Sequence, residues 1–129
     1  MTLEADFLTS AADKLAENVD RIETCLVELP PQALWARDSE HENAVGNLLL
    51  HLEGNVRQWV LSGIGARADA RDRPSEFSAR SGEDASALTA KLRATVAEAV
   101  TLIRSLPHPR ISGSTVTWTF QSSLGSPVM

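Results

Sequence analysis

Three stretches of this chain repeat apolar residues at spacings of three and four, and each ends at a proline or glycine. This feature constrains the fold most. Successive helical residues turn about 100°, so such spacing gathers side chains onto one stripe. Phe7, Leu8, Ala11, Leu15, Val19, Ile22, Leu26 and Leu29 predict a helix over 3–29, stopped by Pro30 and Pro31. Val45, Leu48, Leu49, Leu52, Val56, Trp59 and Val60 predict a second over 44–62, with Asn43 as N-cap and Gly63 as the residue just past its end. Ala85, Leu88, Leu92, Val96, Ala99, Ile103 and Leu106 predict a third over 82–106, opened by a capping box at Ser81–Asp84 and stopped by Pro107 and Pro109. None of these helices can be stable alone, so they must pack into an all-α bundle.

The connections are informative too. Leu34 and Trp35 are expected to anchor the first link onto the core. Gly46 and Gly54 each cost about 1 kcal/mol against alanine inside a helix. They imply either close helix contact or loose local design. Residues 63–80 show no sustained helix or strand period, and a link that long is expected to be a crossover or a functional loop. Its Arg67, Arg71, Arg73 and Arg80 alternate with Asp69, Asp72 and Glu76. That mixture reads as a solvated, self-neutralising loop, with anion binding by the arginines as the alternative. Residues 111–129 differ in kind. They carry no charge, eleven of the nineteen are Ser, Thr, Gly or Pro, and Thr115–Phe120 alternates with a strand period. The domain is therefore expected to span 1–110, with 111–129 as a separate tail.

Length and charge bound the function. With 129 residues, 43% of them apolar, the chain makes one domain with a core of its own. Twelve basic against seventeen acidic residues give a net charge of −5, which argues against nucleic-acid or anionic-membrane binding. The N-terminus lacks a basic, apolar leader pattern, and the longest aliphatic run is Leu48–Leu50, so a cytoplasmic protein is expected. The single cysteine, Cys25, excludes an internal disulfide and reads as a small core or boundary residue.

His51 is the most informative polar position. Asn47, Asn55 and Gln58 stand at i−4, i+4 and i+7 from it, forming an uncharged polar strip beside the apolar stripe. Solvated helix faces carry more Glu, Lys and Arg. The strip suits a hydrogen-bonded boundary layer, or the wall of a hydrated cleft with His51 as ligand or catalyst. His41 and His108 read as surface residues, and Asn18 is a weak candidate to face the same interior. Metalloprotease, hydrolase-elbow and dinucleotide-binding motifs are absent.

The segment from Asn43 to Trp59, with Gly63-Ile64-Gly65 and Arg71-Asp72-Arg73-Pro74-Ser75-Glu76-Phe77, resembles the DinB-like superfamily over about residues 3–110. The resemblance implies an antiparallel four-helix bundle with a long connection between its second and third helices. It implies a divalent metal (Zn, Ni or Fe) on three histidines, of which His51 matches the one on the second helix, with Asn47 and Asn55 lining the cleft. It also implies homodimers and, in some members, thiol-dependent transferase or isomerase activity on small thiols. The family's other two histidines lie as His-x3-His on a fourth helix, and residues 111–129 contain none. The expectation is an incomplete fourth element, through truncation or a frameshift. The function expected is a non-catalytic module associating through its helical face, the alternative being a metal-dependent transferase or hydrolase using His51.

Overall fold

The computed structural model describes residues 2–107. They form α1 (Leu3–Val27), a single 3-10 turn (Pro31–Ala33), α2 (Val45–Val56, continued by a π-helical turn Arg57–Ser62), α3 (Arg73–Ser78) and α4 (Ala85–Ser105). The fold is all-α, with no strand among the described residues. Pro109, His108 and the alternating Thr115–Phe120 run lie outside them, as does the 111–129 tail.

The helix ends follow local chemistry. Thr2 caps α1 by accepting from the Ala5 N–H at 3.2 Å. Leu29 precedes Pro30, whose ring disfavours helical backbone before it, and α1 stops at Val27 rather than the expected 29. The cap of α2 is Ala44, not Asn43, and the Asn47 side chain accepts from its N–H at 2.9 Å. Asp84 is itself the cap of α4, accepting from the Ala87 N–H at 2.8 Å, so the helix starts at Ala85 instead of 82. The link 63–80 contains α3, six residues capped by Asp72, which is too short for a periodicity to reveal. Gly63 stays right-handed at φ −66°, and the left-handed conformation falls on Ala66 at φ 56°. That conformation costs an L-residue about 1–2 kcal/mol. Ala66→Gly is therefore expected to stabilise the fold by about 1 kcal/mol, less the glycine's unfolded-state entropy, read as a rise in urea midpoint.

α4 is the central helix. Its buried Leu88, Leu92, Val96, Ala99 and Ile103 reproduce the expected stripe. With Val19, Leu34 and Leu49, the first three of these build the core. Arg93 reaches Asp20 and Glu23 on α1, and Arg104 reaches Asp13, so α1 and α4 run antiparallel. α2 runs parallel to α4. The α2 start lies with the α4 start around Trp35, and Glu53 accepts from Thr95 Oγ1 at 2.8 Å further along. A parallel pair needs a connection that returns the whole length of α2, about 27 Å at 1.5 Å per residue. Residues 63–84 supply it.

Among the described residues α1 is covered on one side only. Of its expected stripe Val19 alone is fully buried, Phe7 is 70% exposed, and Ala5 and Ala12 are buried instead. Its stripe is wide enough for two neighbours, whereas α4 is its main one. Between α1 and α2, over a floor of Leu92 and Val96, lies an open groove of about 320 Å³ walled by Leu15, Ile22, Leu52 and Val56. Asn18 sits exposed on its rim rather than facing His51. Cys25 is exposed, not a core residue, because it falls on the solvent side of that half-covered helix.

Candidate functional site

Gly46 and Gly54 are sites of close approach. An added Cβ at Gly46 would lie 2.7 Å from the Trp35 ring, which is also pressed against Gly82 and donates through Nε1 to the Glu83 carbonyl. An added Cβ at Gly54 would lie 2.2 Å from Glu76 Oε2 and 3.0 Å from Arg71 Nε. The bare face of α2 at Gly54 is thus the floor for a charged pair brought back by the crossover.

That pair centres the candidate site. Arg71 Nε donates to Glu76 Oε2 and Nη2 to Oε1, both at 2.9 Å, in the two-pronged geometry a guanidinium offers a carboxylate. Their side chains are only 5% and 9% exposed, so the expectation of a solvated loop is corrected at its centre. The loop does neutralise itself, but by burying the pair against a glycine. Arg71 Nη1 donates to Gln58 Oε1 at 2.8 Å, and Gln58 Nε2 donates to Asp69 at 3.1 Å. The π-helical turn begins beside Gln58, the residue that meets the guanidinium.

His51 closes the cluster. Its Nδ1 is 3.1 Å from Arg71 Nη2 and 3.3 Å from Glu76 Oε1, and its ring packs on Phe77 with centroids 5.0 Å apart. A guanidinium can only donate. Nδ1 either accepts the second Nη2 proton or, when it carries the ring proton, donates to Glu76 Oε1. A metal-ligating nitrogen must present a lone pair. Nδ1 is engaged by the Arg71–Glu76 pair, and the nearest carboxylate is committed to Arg71. Among the described residues no group of three His, Cys, Asp or Glu is placed to hold a metal ion. The described residues do not fit a metal site.

Asn47 is not a cleft wall. It is fully buried and forms a junction. Its Nδ2 donates to the Glu76 and Ala79 carbonyls at 2.8 and 2.9 Å, and its Oδ1 accepts from the Ala44 N–H and, at 2.6 Å, from Arg37 Nη2. Arg37 also donates to the Phe77 and Ala79 carbonyls. Every pin of Asn47 lies inside the fold, which is why burial rather than hydration suits it. Asn55 is half-buried and takes no part in the cluster. The strip was legible as a polar boundary, but Arg71, Glu76 and Arg37 were not singled out as its partners. A glycine inside a helix, paired with an Arg/Glu-bearing crossover, was the available signal.

Electrostatics reinforce the pair. Burial pushes the Glu76 carboxyl up, yet hydrogen bonds and charge from Arg71, and then from His51, hold it below the usual carboxylate value. Hydrogen bonding to Glu76 raises Arg71, against its desolvation. The cluster is arranged to hold charge in place, since the Arg71 donors meet Glu76, Gln58 and His51, while Arg37 Nε is buried without a partner among the described residues.

Fold and site together define an all-α bundle whose crossover carries a buried ion pair seated against α2. No family model, curated protein or solved structure matches the chain. No helix among the described residues is long and apolar enough to cross a membrane.

Proposed function

We propose that this chain is a DinB-like helical-bundle protein, cytoplasmic and non-catalytic, that works by associating with a second copy through its open helical face. The observation that carries this reading is the groove between α1 and α2. Beside it α2 exposes Leu48 by 47%, Leu52 by 40% and Trp59 by 59%. The only charged residues of α2 and its π turn, Glu53 and Arg57, pair with each other. The one charged residue lining the trough, Arg21, pairs with Glu17 on its own helix, so this largely apolar face can meet its own copy about a two-fold axis with little like-charge contact. Wider apolar patches of this kind mark interaction surfaces.

The second reading is a metal-dependent enzyme of the DinB-like type, acting on a small thiol. The carboxylate at His51 Nδ1 favours it, because ligating histidines are commonly oriented by one. It requires the Nδ1–H tautomer and ligands from beyond the described residues.

Light scattering coupled to gel filtration, with metal analysis of the same fractions, separates the two. The expected result is a dimer without stoichiometric metal, weakened at least about tenfold by Leu52→Glu, which drives a charge into the interface centre. A monomer at all concentrations would sink the association reading. Stoichiometric metal lost in His51→Ala would establish the enzyme reading instead.

A further inference from the structure

We propose that residues 64–80 form a strap that lifts from α2 as one unit, without unfolding of the bundle, and uncovers Asn47, His51 and Gln58. The crossover is fastened differently from the rest of the fold. The helices bury Leu34, Leu49, Leu88, Leu92 and Val96, whereas no apolar residue of the strap is fully buried. Ile64 is exposed, Phe77 is half-buried, and the one buried strap residue is Glu76. Lifting the strap therefore removes little apolar surface from contact.

Its attachments are polar pins, most of them along α2, with Arg67 also reaching Glu98 on α4 at 2.6 Å. Ser62 Oγ donates to the Ala68 carbonyl, Gln58 pairs with Arg71 and Asp69, and His51 meets Arg71 and Glu76. Asn47 and Arg37 hold the carbonyls of Glu76, Phe77 and Ala79. Water can replace each of these bonds once the strap moves, so each contributes modestly to closure. The strongest interaction, Arg71 with Glu76, joins two residues of the strap itself. It travels with the strap and leaves no buried charge behind. Gly63 and Gly65 flank one end and Gly82 the other. Segments with few apolar contacts and replaceable hydrogen bonds are those that open below the global unfolding free energy. What opens here is a strip of uncharged hydrogen-bonding groups on a rigid helix.

Native-state hydrogen exchange on the full chain under increasing urea tests this. The Arg67 N–H, bonded to the Leu61 carbonyl, reports the lift itself, and the Ala79 N–H, bonded within the strap to the Ser75 carbonyl, reports it through α3, whose six residues cannot stay helical once detached. Amides of Leu92 and Val96 report global unfolding. The strap amides are expected to exchange at least about a hundredfold faster than the α4 amides, with little urea dependence. Asn47→Ala is expected to speed strap exchange by about tenfold or more while leaving the ratio of α4 exchange to global stability unchanged. Arg37→Ala removes two pins, together with the bond to Asn47 Oδ1, and should act in the same direction. Equal urea dependence in strap and α4 would overturn the proposal. So would strap amides exchanging at the rate of an unstructured peptide, which would mean that the strap never closes.

Discussion

Arg71→Met lowers the unfolding free energy by about 3–5 kcal/mol, the range for leaving a buried charge without its partner. Glu76 would keep its carboxylate against Gly54, and Gln58 and His51 would lose the donor they share. Domains of this size are stable by only about 5–15 kcal/mol, so the variant would approach the unfolding threshold. Removing both charges differs from removing one. Arg71→Met with Glu76→Leu should recover most of the loss, because apolar replacement of a whole buried pair is often neutral. Urea unfolding of the three proteins checks this, and an additive double variant would mean that the pair does not act as a unit.

The same carboxyl carries an acid dependence. Glu76 is held below its ordinary value of 4.5 in the fold. Its contribution to stability is therefore complete above that value and is lost as pH falls through the lower, folded one. Glu76→Gln should be less stable at neutral pH and should lose less stability on acidification below about pH 4.5 than the parent. Equal acid limbs in parent and variant would show that Glu76 gains nothing from Arg71 in the fold.

How much of this was legible depended on the kind of signal. α4 was legible almost residue for residue, since a central helix buries a full stripe and the stripe is what periodicity reports. α1 was legible as a helix but not in its burial. Phe7 lies on the stripe yet stays exposed, because periodicity shows which side is apolar, not whether a neighbour covers it. The tight approach of α2 to its surroundings was written in Gly46 and Gly54, without saying what approaches. The Arg71–Glu76 pair was hidden because its charges look like any solvated loop until the crossover's path is known. That path follows from α2 and α4 running parallel, a long-range relation that no local pattern carries. For Asn47 the sequence leaves a hydrogen-bonded boundary layer and a cleft wall both open. Four hydrogen bonds satisfied by backbone and Arg37 make it a buried junction, while sequence alone shows only an amide beside an apolar stripe.

Gly54→Ala sets the two physical effects at that position directly against each other. Helix propensity alone forecasts a gain of about 1 kcal/mol, since glycine loses the most backbone freedom on entering a helix. The contact forecasts the opposite. A Cβ would stand 2.2 Å from Glu76 Oε2, and no carboxylate oxygen can remain there. Glu76 cannot swing away cheaply, because both its oxygens hold Arg71 and its carbonyl is held by Asn47. Either the strap lifts or the pair breaks, and the expected outcome is a net loss of about 2 kcal/mol or more. The sign is the test. In the Arg71→Met, Glu76→Leu background the flexible leucine can turn aside, and Gly54→Ala should become much less costly there. A destabilisation that persists unchanged in that background would place the obstacle elsewhere in α2. A stabilised Gly54→Ala single variant would show that the crossover does not seat on this face at all, removing the floor on which the buried pair, its contact with His51 and the strap all rest.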